Sequence, residues 1–166
     1  MPIILVGGGS RSGKSRYALE LAKQQGARLA FVATAQAFDG EMSDRIRKHR
    51  EERDGAFTTL EEPLEVAAAL ERAGRDYDVI VVDCLTLWVS NLMLSDREIP
   101  TEELIAAVRA IPATVIFVSN EVGCGIVPEN AMARRFRDLA GSLNQRVAAA
   151  ASEVYWMAFG IPFKVK

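Results

Sequence analysis

One histidine, two cysteines and 7% aromatic residues are all that this 166-residue chain has of those types, and its apolar runs are short. No run approaches the roughly 20 residues needed to cross a bilayer. Residues 1–6 are too short and lack the basic flank of a secretory signal, so the expected location is the cytoplasm. Cys84 and Cys124 have no paired metal-ligand spacing around them, which argues against a disulfide framework or a zinc site. An excess of positive charge is also missing: 20 Lys and Arg face 22 Asp and Glu, a net charge of −2. That balance argues against a broad basic face for nucleic acid and suits a small charged ligand. Internal repeats, low-complexity tracts and linkers are absent, so the expectation is a single domain over residues 1–166. One site must then serve every activity of the chain.

What is present is an alternation of apolar strand-like runs with helical patterns, the signature of a parallel sheet covered by helices. Residues 3–6 read as a short strand, 15–25 as a helix and 28–33 as a second strand. Residues 41–53 are charged and helical in pattern, with Met42, Ile46 and His49 on one side. A short strand over 57–60 follows, and Pro63 suits the first turn of the next helix. Val79-Ile80-Val81-Val82 forms the heart of a buried strand ending in Asp83. A helix through 94, a connector over 96–101, a helix over 102–110 and a strand over 114–119 come next. The loop 120–129 contains Gly123, Gly125 and Pro128 and precedes a long helix over 131–151. Residues 154–159 and 163–165 read as strands joined by Gly160-Ile161-Pro162, a C-terminal hairpin that is partly antiparallel.

Gly8-Gly9-Ser10-Arg11-Ser12-Gly13-Lys14-Ser15 matches G-x-x-x-x-G-K-S and lies between a strand and a helix, as a phosphate-binding P-loop requires. The glycines let successive N–H groups turn inward onto phosphate oxygens, and the new helix adds its positive end. Lys14 neutralises the β- and γ-phosphates, while the Ser15 hydroxyl is a ligand for Mg²⁺. Gly7, Gly9 and Gly13 also fit a loose dinucleotide pattern, but Ala33-Thr34-Ala35-Gln36 supplies no acid for a ribose. Asp83, ending the most apolar strand, is placed like the acid of P-loop enzymes that holds Mg²⁺, directly or through water, or activates a nucleophile, or else it caps the following helix. Ser119-Asn120-Glu121-Val122 stands where a switch GTPase would carry N-K-x-D, which disfavours that class. The fold expected is α/β of the P-loop NTPase type: a mostly parallel central sheet flanked by helices, with the C-terminal hairpin.

Arginines stand in two clusters: Arg45, Arg47, Lys48, Arg50 and Arg53, and Arg134, Arg135 and Arg137. Either alone fits a solvated helix face. The first, however, surrounds His49, with Arg45 and Arg53 one turn away on either side. Cations nearby favour neutral imidazole, the form that attacks phosphorus, and they stabilise charge on a transferring group. His49 is thus a candidate nucleophile as well as an ordinary helical side chain.

Taken together, GGSRSGKS at residues 8–15, ATAQ at 33–36, DRIRKHR at 44–50, TLEEP at 59–63 and DCLT at 83–86 resemble a known family. SNEVGCGIVPEN at 119–130, ARRFRD at 133–138 and GSLNQ at 141–145 extend the resemblance over nearly the whole chain. The family is the bifunctional adenosylcobinamide kinase and adenosylcobinamide-phosphate guanylyltransferase of cobalamin biosynthesis. The resemblance implies a two-step transferase that uses ATP or GTP, with Mg²⁺, to phosphorylate adenosylcobinamide. GTP then passes GMP through a histidine to the phosphorylated acceptor, giving adenosylcobinamide-GDP. It puts His49 in the nucleophile position and implies nucleotide contacts from Thr34, Ala35, Gln36, Arg50, Glu51, Glu52, Arg53, Glu61 and Asp83. It also implies a homotrimer. From the residues alone, a single-activity P-loop kinase or a non-enzymatic nucleotide-dependent regulator remains open.

Overall fold

The computed structural model describes residues 2–36 and 55–166. The charged helix expected over 41–53, with His49, Arg50, Glu51, Glu52 and Arg53, lies outside the described residues. In chain order the elements are β1 (Ile3–Gly8), α1 (Lys14–Gln25), β2 (Leu29–Ala33), β3 (Phe57–Glu61), α2 (Val66–Ala73) and β4 (Val79–Asp83). Then come α3 (Leu85–Leu94), α4 (Thr101–Ala110), β5 (Thr114–Asn120), α5 (Ala131–Ala150), β6 (Glu153–Ala158) and β7 (Ile161–Lys164).

β-branched runs make the inner strands. Val79, Ile80, Val81 and Val82 are all fully buried, because β4 has side chains packed on both faces of the sheet. The strand order is β3-β2-β4-β5-β1-β6-β7. Among the described residues every strand pairing is parallel except β6 with β7. One row of the register crosses five strands, from Val6 to Val118, Asp83, Ala33 and Glu61. The strands that end just past this row deliver their loops to a common rim.

Alternation within each strand sorts side chains between two cores. Ile4, Val6, Phe31, Val81 and Ile116 pack against Ala18, Leu19 and Ala22 of α1. Leu5, Val32, Ile80, Val82 and Phe117 face the other way, toward Leu70, Trp88, Leu104 and Leu143 of the remaining four described helices. Each fully buried side chain of that size stabilises the fold by about 1.5–3 kcal/mol relative to exposure.

Two local expectations are corrected. Pro63 does not enter the first turn of a helix. The Glu62 carboxylate accepts from the amides of Leu64 at 3.2 Å and Glu65 at 2.8 Å, forming a separate turn, and α2 begins only at Val66. The hairpin turn is not Gly160-Ile161-Pro162 but Phe159-Gly160, with φ of 54° and 81°, the two positive values a type I′ turn requires. Pro162 therefore lies within β7, where an edge strand tolerates its missing N–H.

Candidate active site at the phosphate cradle

β1 ends at Gly8 and α1 begins at Lys14, so the intervening residues form the loop that the sequence motif foretells. Two glycines in it are sterically required. Gly8 has φ of 152°, and a Cβ there would lie 2.8 Å from the Met157 carbonyl oxygen and 2.9 Å from Ser12 Oγ. Gly13 caps α1 in the left-handed region at φ 91°, and a Cβ would come 3.3 Å from Gly160 Cα. Arg11 is also left-handed, at φ 54°. Outside support comes from the hairpin, where the Gly160 amide donates to the Ser12 carbonyl at 3.1 Å.

Lys14 is buried, and its Nζ donates to the Gly9 carbonyl at 2.5 Å and to Ser12 Oγ at 3.4 Å. The ammonium is thus folded into the concavity its own loop makes. Burial pushes its pKa below the ordinary lysine value, and the Asp83 carboxylate opposes that shift. A phosphate entering the loop would replace weak carbonyl and hydroxyl partners with full negative charge, so the cradle is electrostatically prepared for an anion. Ser10 and Arg11 are exposed, Gly9 and Ser12 half-buried, and Ser15 stands half-buried in the first turn of α1.

Asp83 ends β4, with β5 between it and the cradle strand. Two strand spacings put it about 10 Å from β1, the right scale to meet the far side of a bound phosphate group. Its neighbour is fixed from across the sheet. Thr34 Oγ1 donates to the Cys84 carbonyl and accepts from the Cys84 amide, while the Thr34 amide donates to the Asp83 carbonyl at 3.2 Å. The Thr34 carbonyl accepts from Asn91 Nδ2 at 2.8 Å, which also donates to the Pro63 carbonyl at 3.0 Å. Every polar group of Thr34 is engaged within the fold, so its part is to hold the β2 and β4 tips together. Burial pushes the Cys84 thiol up to about 12, leaving it an inert packing group.

Ala35 and Gln36, both half-buried, follow the β2 tip. Glu61 is exposed at the end of β3, four strands from β1, or about 19 Å across the sheet. The fold thus brings residues 8–15 and Asp83 into one centre and spreads Gln36 and Glu61 farther along the same rim. His49 and residues 50–53 lie outside the described residues.

The motifs at 83–86, 119–130 and 141–145 also supply a brace that their spacing along the chain does not reveal. The Asn120 amide donates to Thr86 Oγ1 at 2.7 Å, and Ser119 Oγ donates to Asn144 Oδ1 at 2.6 Å. Asn144 Nδ2 returns to the Asn120 carbonyl at 3.3 Å, closing a polar brace between α3, β5 and α5. The available signal was Thr86 and Asn91 within the mostly apolar LTLWVSNLML of α3, since buried polar groups persist when they are bonded.

Comparisons with known proteins agree with this geometry. The ATPase domain of G40P superposes with a TM-score of 0.54 at 12% identity, covering 93% of this chain and 68% of that one. A prototypical ATPase from the type III secretion system of pathogenic bacteria gives 0.54 at 14% identity, covering 98% and 56%. Those likenesses are of fold. By sequence, the bifunctional adenosylcobalamin biosynthesis protein CobP of Pseudomonas aeruginosa is 43% identical over 166 residues, covering 98% of this chain and 96% of that protein. The bifunctional adenosylcobalamin biosynthesis protein CobU of Salmonella typhimurium is 40% identical over 181 residues, covering 99% of both. The family described as cobinamide kinase / cobinamide phosphate guanyltransferase matches residues 4–165, and the chain belongs to that family.

Proposed function

We propose that the chain phosphorylates adenosylcobinamide with ATP or GTP and then joins GMP from GTP to the product, giving adenosylcobinamide-GDP. The observation that carries this reading is the cradle, with buried Lys14 turned into it and Asp83 two strands away, in a chain of this family.

In the first step the acceptor hydroxyl oxygen bonds to the γ-phosphorus, the bond from that phosphorus to the bridging oxygen breaks, and a nucleoside diphosphate leaves. The hydroxyl proton passes to a base or to solvent. Lys14 and the inward amides of residues 8–15 oppose the charge that gathers on the departing diphosphate. In the second step an imidazole nitrogen of His49 bonds to the α-phosphorus of GTP and pyrophosphate leaves. A phosphate oxygen of the phosphorylated acceptor then displaces the imidazole, forming the new diphosphate link and restoring His49.

Mg²⁺ fits the donor set: one hydroxyl from Ser15 and one carboxylate from Asp83 are hard oxygens, and this ion takes few protein ligands beside water and phosphate. Bound there, it would supply charge neutralisation at the phosphates. Glu61 and Gln36, too distant for the cradle phosphates, suit a nucleotide extended along the rim during the second step. The same reading places the reaction in the cytoplasm, where nucleoside triphosphates are maintained. Among the described residues no helix is long and apolar enough to cross a membrane. It also makes the chain a homotrimer, for which β6 and β7 offer an apolar face with Trp156, Ile161, Phe163 and Val165 exposed.

The deciding experiment is incubation with α-labelled GTP and Mg²⁺. The chain should acquire a GMP label that is acid-labile and alkali-stable, as a phosphoramidate is, and His49→Ala should acquire none. An unlabelled wild type, or equal labelling of the variant, rejects the histidine route.

A further inference from the structure

The amide of Glu121 donates to the Gly8 carbonyl at 3.0 Å, so the loop after β5 leaves the sheet from the lip of the cradle. Because β5 lies between β1 and β4, that loop leaves the sheet between the strands that carry Gly8 and Asp83, the two sides of the site where a γ-phosphate would be handed on. Its side chains have an unusual character for so exposed a place. Ile126 is 97% exposed, Val127 59%, and Met132, in the first turn of α5, 63%. Single exposed apolar residues are ordinary, but three within seven positions, in a segment that starts at the lip of the cradle, mark a surface suited to being covered.

The loop is also tied in place. Asn130 Oδ1 accepts from the amides of Met132 at 2.8 Å and Ala133 at 3.1 Å. Arg134 Nη1 donates to the carbonyls of Pro128 at 2.9 Å and Glu129 at 2.6 Å. At its beginning the Glu121 carboxylate accepts from the Gly123 amide. A ligand meeting this surface would therefore lose little to ordering it.

We propose that this loop is the acceptor platform: Ile126, Val127 and Met132 take the apolar ring system of the corrinoid and hold its hydroxyl-bearing arm over the γ-phosphate. The proposal rests on the corrinoid reading above and names the surface that recognises that substrate. Open space beside Gly125 leaves the main chain there accessible to the amide arms that rim such a ring. A second copy of the chain is a poorer occupant. Three side chains fall well short of the roughly 800 Å² per partner of a standard interface, and a protein lying there would close the lip through which nucleotide and acceptor must meet.

The test is the double change Ile126→Ser and Val127→Ser, assayed for phosphorylation of adenosylcobinamide, with retained GTP binding as the control for folding. The KM for the corrinoid should rise about tenfold or more, as loss of two apolar contacts implies, and kcat should fall by less. A KM unchanged in a variant that still binds GTP overturns the platform. So does a changed sedimentation coefficient with unchanged KM, because the patch would then belong to a neighbouring copy. If wild type itself fails to phosphorylate adenosylcobinamide, the corrinoid reading falls first and takes the platform with it.

Discussion

Thr34 and Cys84, fifty positions apart in the chain, share a single hydroxyl that bonds both the carbonyl and the amide of Cys84 at 2.8 Å. Thr34 is fully buried, so no water substitutes when that hydroxyl is removed. Thr34→Val keeps the shape but leaves two buried main-chain groups without this partner, at a cost of about 1–3 kcal/mol. Because the Asp83 carboxylate stands one residue before Cys84, the substitution should also lower kcat for phosphoryl transfer by about 10- to 100-fold, the scale of a small misplacement. KM for the nucleotide should change less. Thr34→Ser should restore most of the rate. A variant that is merely less stable, with wild-type kcat at low temperature, would refute the positioning role.

The cradle itself predicts a different signature. Gly8→Ala would set a methyl 2.8 Å from the Met157 carbonyl oxygen, which is main chain and has little freedom to retreat. The first turn of the loop or the adjacent β6 must move, and the loop's amides move with it. Affinity for a fluorescent nucleoside triphosphate should drop at least about tenfold, the equivalent of 1.4 kcal/mol. Equilibrium titration measures this directly, and undiminished affinity would contradict the close packing of loop and β6.

These two residues also show what the sequence could disclose. The cradle was legible because phosphate chemistry fixes glycine, lysine and serine at set spacings, and β4 was legible because four consecutive β-branched residues suit a strand buried on both faces. Thr34 was not legible as a brace, since its partner lies on another strand and only the fold makes them neighbours. The hairpin turn was misplaced for a related reason. Phe159 adopts φ 54°, a region aromatic residues seldom visit, while Pro162, a usual turn marker, sits in an edge strand. Glu61 matched a family motif, yet its distance from the cradle depends on strand order, which spacing along the chain does not encode.

At the opposite end of the sheet, Asp78 ties the entrance of β2 to that of β4. Its Oδ1 accepts from Arg28 Nε at 3.0 Å and Nη2 at 2.6 Å, and its Oδ2 from the amides of Ala27 at 3.1 Å and Arg28 at 2.9 Å. The Arg28 side chain foremost, then those amides, hold the Asp78 carboxyl down to about 2 from its ordinary 3.8. The folded-state pKa is the lower, so this contribution to stability is fully present above 3.8 and disappears as pH falls toward 2. Asp78→Asn should therefore melt below wild type at neutral pH, and the gap should narrow across that acid window. A gap independent of pH would show that the charge of Asp78 is not what matters. Transfer rates should be unaffected, because the cradle lies at the other end of the strands.

Trp156 and Phe163 stand directly opposite each other on the antiparallel pair, so both project from one face. Ile161 and Val165 alternate with Phe163 onto that same face, and Trp156, Ile161, Phe163 and Val165 are 38%, 67%, 66% and 61% exposed. An apolar sheet face on an edge strand is a hazard unless another chain covers it. If it forms the contact of the trimer proposed above, Trp156→Glu with Phe163→Glu places like charges against the interface and should convert the assembly to monomer, as sedimentation velocity would measure. The hairpin also carries Gly160, whose amide holds the Ser12 carbonyl of the cradle. Loss of the contact should then weaken nucleotide binding several-fold, and because Trp156 pairs with Gly7 just before the cradle, Phe163→Glu alone separates the effect of assembly from a local one. Monomer with full nucleotide affinity would confine the hairpin to assembly, and a persistent trimer would move the interface elsewhere.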